Sequence, residues 1–129
     1  MVRELTTQEA KVAVVWAGIL PYFAERHAVD LLGKNDKVIA RKPMRVSAGL
    51  SRFKDFYPGH LKWDYAYSIG ELRPDVIISL WGDREEAAPY LSAYRAIEVN
   101  GTCLWVRRGS SHVHWDRLVE AREARGGMC

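Results

Sequence analysis

Two largely apolar runs dominate the pattern of the chain, and both predict buried β-strands. The first is KVAVVWAG, Lys11 to Gly18, which is rich in β-branched residues and ends at a glycine. The second is DVIISLW, Asp75 to Trp81. Strands that are covered on both faces of a parallel sheet have continuous apolar sequences of this kind. The two runs are therefore predicted to lie at the centre of a sheet.

Helices and one short strand are predicted between these runs. Apolar residues recur at helical spacing from Phe23 to Leu32, and Gly33 follows as a typical helix end. The segment DKVIARK, Asp36 to Lys42, is predicted to be a short strand. Residues 43–60 contain several prolines and glycines and show no sustained period, which predicts a long loop.

The second half of the chain predicts two further helices, a hairpin and a terminal helix. The helices are KWDYAYSIGEL before Pro74 and the segment from about Glu85 to Tyr94. The hairpin consists of two apolar runs joined by Asn100-Gly101, a pair that favours a type I′ turn. The tail at 115–125 has the pattern of an amphipathic helix.

Taken in order, these elements predict the fold class. A β-α-β-loop-α-β-α-β-β-α order is typical of a three-layer α/β sandwich, Rossmann-like, with a mainly parallel sheet and an antiparallel hairpin at one edge. A length of 129 residues predicts a single α/β domain over 1–129.

Composition and charge narrow the classes of protein and partner. The chain is 48% hydrophobic and 27% charged, as expected for a globular domain, and its net charge is +3. Lys and Arg are scattered without a dense basic stripe, so no nucleic-acid binding is expected. No window approaches the roughly 20 apolar residues of a membrane helix. The N-terminus does not have the pattern of a signal peptide, which predicts a cytoplasmic location for a free-standing chain.

Motif searches predict no cofactor. Gly18 stands alone where a dinucleotide-binding G-x-G-x-x-G would be needed, and neither a P-loop nor a nucleophile elbow occurs. His112 and His114 form an H-x-H pair that would share one face of a strand and bind a metal. The lack of a suitably spaced third ligand favours a solvated turn instead, so no metal site is predicted.

The segment FYPGHLKWDY concentrates candidate chemistry. His60, Lys62 and Asp64 place hydrogen-bonding groups beside aromatic surface, a combination that suits sugars, which stack on rings and pair through their hydroxyls. In the competing interpretation, Trp63 and Tyr67 anchor the loop to the core and the polar residues are merely solvated. The Asp30 carboxylate, on a predicted buried helix, is expected to need a partner such as Arg26 or Lys62.

Several stretches together resemble the soluble C-terminal region of membrane-embedded, polyprenyl-phosphate-sugar-dependent glycosyltransferases of the arabinofuranosyl- and mannosyltransferase-like type. They are AGILPYFAERHAVDLLGKNDKVIAR, PGHLKWDYAYSIGELRPDVII and YRAIEVNGTCLWVRR, and the resemblance covers roughly residues 12–108. The pattern is A-G-x-[IL]-P-Y, then D-x-L-G-x-x-D, G-H-x-K-x-D and P-D-[VI]-[IV].

The resemblance implies a sugar-transfer context and a limit on activity. In that family the catalytic carboxylate and the lipid-phosphate donor site lie in the transmembrane part, which has no counterpart in this sequence. A non-catalytic accessory domain is therefore expected, which binds a saccharide or acceptor glycan and has a membrane-embedded glycosyltransferase domain as partner. That context would place it on the extracytoplasmic face of the membrane.

These arguments yield one leading hypothesis and two alternatives. The leading hypothesis is weak saccharide binding, in a cleft shared by the exit of the first strand and the G-H-x-K-x-D loop. The alternatives are an interaction domain that docks through its aromatic loop and edge hairpin, with self-association as one form, and a small hydrolase-like enzyme with an acid-base pair formed by His60 and Asp64. The residues predicted to bind ligand are Tyr22, Arg26, Asp30, His60, Lys62, Asp64 and Trp81.

Overall fold

A mixed sheet forms the centre of the molecule. The computed structural model describes residues 1–45, 59–82, 84–118 and 122–123. Six strands lie in the order β2-β1-β3-β5-β4-β6. Their bounds are β1 Lys11–Val14, β2 His27–Asp30, β3 Val76–Ile77, β4 Tyr94–Val99, β5 Thr102–Arg107 and β6 Arg122–Glu123.

The pairing of these strands contradicts the predicted parallel sandwich. β1 pairs in parallel with β2 on one side and with β3 on the other. The pairs β3-β5, β5-β4 and β4-β6 are antiparallel. The Rossmann-like, mainly parallel, three-layer prediction is therefore wrong. An apolar run shows that a strand is buried on both faces, but it carries no information about the direction of its neighbours.

The helices in the described part of the chain are short, from four to six residues each, which also distinguishes the fold from a Rossmann-like sandwich. They are α1 Val2–Leu5, α2 Ile19–Ala24, α3 Lys37–Ala40, a π-helix Ala66–Glu71, α4 Ala88–Leu91 and a 3₁₀ helix Trp115–Leu118.

Both faces of the sheet are nevertheless covered, which explains the first apolar run. Val12 and Val14 pack with Val2 of α1 and Ala24 of α2 on one face. Ala13 belongs to a cluster on the other face that includes Ile69 of the π-helix and Ile77 of β3. Every residue from Val12 to Val15 is buried, so a polar residue at any of these positions would lose its hydration.

The predicted helix from Phe23 to Leu32 is wrong in its second half. Its chain reverses at Glu25, which adopts a left-handed conformation with φ 51° and donates its N–H to the Pro21 carbonyl at 3.1 Å. β2 then pairs with β1 over four residues. His27 is exposed on this strand. The apolar spacing thus came from a short helix followed by a strand.

Two other predicted elements change type. The predicted strand from Asp36 to Lys42 contains the helix α3 instead, because the Asp36 carboxylate caps the helix and accepts from the Val38 and Ile39 N–H groups at 2.8 and 3.0 Å. The predicted tail helix is replaced by the 3₁₀ helix and by β6, while its other residues lie outside the described ranges. Most of the predicted long loop, 46–58, also lies outside them.

The predicted hairpin is confirmed. β4 and β5 pair over six residues around Asn100 and Gly101, whose φ values of 51° and 74° fit a type I′ turn. Its predicted position at the edge is wrong, because β6 pairs with the outer side of β4 at Ile97 and Glu98.

Candidate functional site

Three aromatic side chains meet beyond the carboxyl ends of β1 and β3, where ligands of α/β sheets commonly bind. Trp16 follows β1, Trp81 lies beyond β3, and His60 belongs to the G-H-x-K-x-D segment. The His60 ring centroid lies 5.0 Å from each indole, and the two indoles are 6.2 Å apart in an edge-on arrangement. We call Trp16, His60 and Trp81 the aromatic cluster.

Hydrogen bonds hold two members of the aromatic cluster in place. The Trp81 indole N–H donates to the His60 carbonyl at 2.9 Å. The Trp81 backbone N–H donates to the Tyr65 hydroxyl at 2.9 Å, and that hydroxyl donates back to the Trp81 carbonyl. Because Tyr65 is buried at the start of the π-helix, the core positions this side of the cluster.

Lys34 adds a positive charge to the aromatic cluster. Its Nζ lies 3.2 Å from His60 Nε2 and 5.5 Å from the Trp16 ring centroid. An ammonium group only donates hydrogen bonds, so His60 Nε2 is the acceptor in this contact. The position over the indole face is a cation-π contact.

A large open groove has Trp16 in its lining. It has a volume of about 1050 Å³ and runs between α1, α2 and the ends of β1 and β3. Its lining is mostly apolar, and the charged residues among the described lining are Arg3 and Lys34, both cationic. The residues lining the groove are Met1, Val2, Arg3, Val14 to Leu20, Phe23, Ala24, Lys34, Asn35, Ile78 and Ser79.

Helix α2 leaves large apolar side chains in solvent beside the groove. Ile19 is 78% exposed, Phe23 is 68% exposed, and Trp16 just before the helix is 59% exposed. Tyr22, one of the predicted ligand-binding residues, is 77% exposed and packs edge-on against Phe23 at 5.3 Å. Such a concentration of exposed apolar groups is typical of a binding surface.

Two other predicted site residues have structural roles. Asp30 is buried and accepts hydrogen bonds from the backbone N–H groups of Leu32, Gly33 and Asn35, so it stabilises the turn after β2 rather than pairing with Arg26 or Lys62. The Arg26 guanidinium donates to the Arg3, Thr6, Ala24 and Glu25 carbonyls and to the Thr6 hydroxyl.

Lys62 and Asp64 attach the G-H-x-K-x-D segment to α3. Lys62 Nζ donates to the Ala40 carbonyl at 2.6 Å. The Asp64 carboxylate forms an ion pair with Lys42 and accepts the Tyr67 N–H at 3.1 Å. Among the seven predicted residues, the structure therefore brings His60 and Trp81 together in the aromatic cluster. The Lys62 ammonium contacts the Ala40 carbonyl instead, and the Asp64 carboxylate contacts Lys42.

Sequence reasoning missed Trp16, Lys34 and Asn35. Trp16 is the last large residue of the first apolar run, and its place at the exit of a predicted strand was a usable signal. Lys34 and Asn35 follow β2, and because that segment was assigned to a helix, its end was not recognised as a neighbour of the strand exit.

The H-x-H pair does not form a metal site in the described part of the chain. His112 Nδ1 lies 3.2 Å from the Thr7 hydroxyl, and Val113 between the two histidines bridges to Thr6. No cluster of three or more His, Cys, Asp or Glu residues suited to a metal ion occurs among the described residues. None of the helices described has the length and apolar character needed to cross a membrane.

The chain is a small mixed α/β domain with a groove whose lining is mostly apolar and includes Trp16, Arg3 and Lys34. The chain belongs to the family described as Domain of unknown function (DUF8728), whose family model matches residues 1–119. No curated protein and no solved structure matches the chain.

Proposed function

We propose that this domain is a non-catalytic binding module that holds a saccharide, with Trp16 as its stacking surface. The observation that carries the proposal is the aromatic cluster: Trp16 is 59% exposed, yet its ring packs against His60 and Trp81. A fixed aromatic ring that remains accessible loses little conformational entropy when a flat ligand stacks on it.

Polar groups surround this stacking surface. The Lys34 ammonium donates one of its three N–H groups to His60, and Asn35 and Ser79 line the same groove. Sugar hydroxyls both donate and accept, so an ammonium, an amide and a hydroxyl beside an indole match their requirements. The resemblance to the soluble region of sugar-transferring membrane enzymes supports the same ligand class, with an acceptor glycan as the ligand and the membrane-embedded domain as the partner.

Calorimetric titration with arabinose- and mannose-containing oligosaccharides in the millimolar range tests the proposal. Trp16→Ala is expected to weaken binding by about three- to tenfold, because it removes the ring on which the sugar stacks. Phe23→Ala is the matched control: Phe23 is a similarly exposed aromatic residue outside the aromatic cluster, and its loss should leave saccharide affinity unchanged.

Two results would contradict the saccharide proposal. One is a wild-type domain that binds none of these oligosaccharides at millimolar concentration. The other is equal weakening by Trp16→Ala and Phe23→Ala, which would assign the binding to the apolar surface in general. Circular dichroism of both variants verifies that the fold is retained.

A further inference from the structure

We infer that the groove also binds the hydrocarbon chain of an anionic single-chain amphiphile, with the negatively charged head beside Lys34. This inference goes beyond saccharide binding and does not require it. The groove, with a volume of about 1050 Å³, is as large as the largest pockets that typically hold small ligands.

The apolar lining points to a hydrocarbon rather than a polar ligand. Val14 and Ile78 form the sheet side of the groove, and Ile19, Leu20 and Phe23 of α2 form its outer side. Ile19 and Phe23 are mostly in solvent in the chain as it stands, so an apolar ligand would remove both from water. Each methylene that is fully buried strengthens binding by up to about fourfold.

The charge of the groove selects the head group. Arg3 and Lys34 are the charged side chains among the described lining residues, and these residues include no Asp or Glu. Arg3 forms an ion pair with Glu25 at 3.1 Å, so Lys34 attracts an anion more strongly than Arg3 does. Lys34 lies next to Trp16 in the groove, whose lining also includes Ile19, Leu20 and Phe23 of α2, so a hydrocarbon chain with its head beside Lys34 would contact α2.

Chain length and head charge are the two variables of the test. Binding of alkyl carboxylates and alkyl phosphates of ten, twelve and fourteen carbons is measured by calorimetry below their micelle concentrations, with alkyltrimethylammonium salts of equal length as charge controls. Affinity is expected to rise by about two- to fourfold per methylene, and the anionic heads should bind at least about fivefold more tightly than the cationic one.

Substitutions then locate the ligand. Phe23→Asp and Ile19→Asp, both on exposed positions, are expected to weaken anionic amphiphile binding by at least tenfold, whereas Val38→Asp, at an exposed apolar position outside the groove lining, should have no effect. Lys34→Glu should abolish the preference for anionic heads and retain the dependence on chain length. Saccharide titration of the wild-type domain is run alongside the amphiphile titration, and its separate result distinguishes failure of this inference from failure of the proposed function.

The other possible occupants are outcomes of the same experiments, and each would overturn the inference. If amphiphile affinity does not depend on chain length, or if Val38→Asp weakens binding as much as Phe23→Asp, the hydrocarbon chain does not bind in the groove. Binding to anionic phosphatidylglycerol vesicles without binding to monomeric amphiphiles would make the face a membrane-docking surface. Sedimentation that shows a dimer abolished by Ile19→Asp would assign the groove to a second copy of the chain.

Discussion

At the scale of single residues, Asp75 is a buried carboxylate with several hydrogen-bond and ion-pair partners. It is buried beside the start of β3 and accepts the Lys11 N–H at 2.8 Å and the Ser110 hydroxyl at 2.6 Å, and it pairs with Arg107. Burial opposes its ionisation, but the hydrogen bonds from Ser110 and Lys11 and the Arg107 charge outweigh it, so the pKa of Asp75 lies below its ordinary value of 3.8.

Asp75→Asn is expected to lower the free energy of unfolding by about 2–4 kcal/mol at neutral pH, because Arg107 then lacks its counter-ion in a mostly buried site. Since folding lowers this pKa, the stabilisation is present above pH 3.8 and is lost as the pH falls through the lower, folded-state value. Urea unfolding between pH 3 and 7 should therefore show that the difference in the free energy of unfolding between wild type and Asp75→Asn becomes smaller at the acidic end.

Asp116→Asn is the control for this charge, because Asp116 is exposed on the 3₁₀ helix and should change stability by no more than about 0.5 kcal/mol. A difference between wild type and Asp75→Asn that stays constant over the whole pH range would contradict the assigned role of the Asp75 charge.

At the scale of elements, the connection from β2 to α3 determines where Lys34 and Asn35 lie. The Asp30 carboxylate holds the turn, and Asp36 caps the helix that follows. Between them, Gly33 has φ +69°, and a Cβ added there would lie 2.5 Å from the Ile39 Cβ. Only glycine satisfies both the left-handed backbone and the close approach of α3.

Gly33→Ala is expected to destabilise the protein by about 2–5 kcal/mol, from the left-handed strain together with the overlap with Ile39. Gly101→Ala is the matched control, since Gly101 has φ +74° and no heavy atom within 4 Å of the added Cβ, so it should cost only about 1–2 kcal/mol. The free energy of unfolding of both variants is measured by urea unfolding. Equal losses for the two variants would show that the contact with Ile39 is unimportant.

At the scale of the whole molecule, Arg26 joins the N-terminal segment to the sheet. Its guanidinium donates to the Thr6 carbonyl at 2.8 Å and to the Arg3 carbonyl at 3.1 Å, across from the end of α2. The same segment contacts the C-terminal part of the domain through the His114 N–H, which donates to the Leu5 carbonyl at 2.9 Å. One side chain thus supports α1, which forms a wall of the groove.

Arg26→Ala is expected to cost about 1–3 kcal/mol and to speed hydrogen exchange at the Thr7 and His114 amides, because α1 loses its attachment. Arg26→Lys should recover little of the lost stability, since a single ammonium group cannot reach all the carbonyls to which the planar guanidinium donates. Arg41→Ala, at an exposed position, is the control. Unchanged exchange at Thr7 in Arg26→Ala would contradict the proposed attachment.

The residues that could be predicted share a local signal. Val12 to Val14 form a buried strand because the run is apolar, and Asn100-Gly101 forms a hairpin turn because these two residue types tolerate the positive φ values of that turn. The site was predicted at His60, which lies in the G-H-x-K-x-D segment, and at Trp81, which ends the second apolar run. Its partner Trp16 and its cation Lys34 come from segments distant in the chain, and their approach depends on how β1, β2 and β3 pair.

The amino-acid sequence by itself determined which segments are buried and where the hairpin turns, because burial and turn conformation depend on the character of neighbouring residues. Only the tertiary structure decided the direction of the strands, the change from helix to strand at Glu25 and the meeting of Trp16 with His60. Those features depend on strand pairing and packing between residues distant in sequence, whose free energy exceeds the small local preference of a four-residue segment.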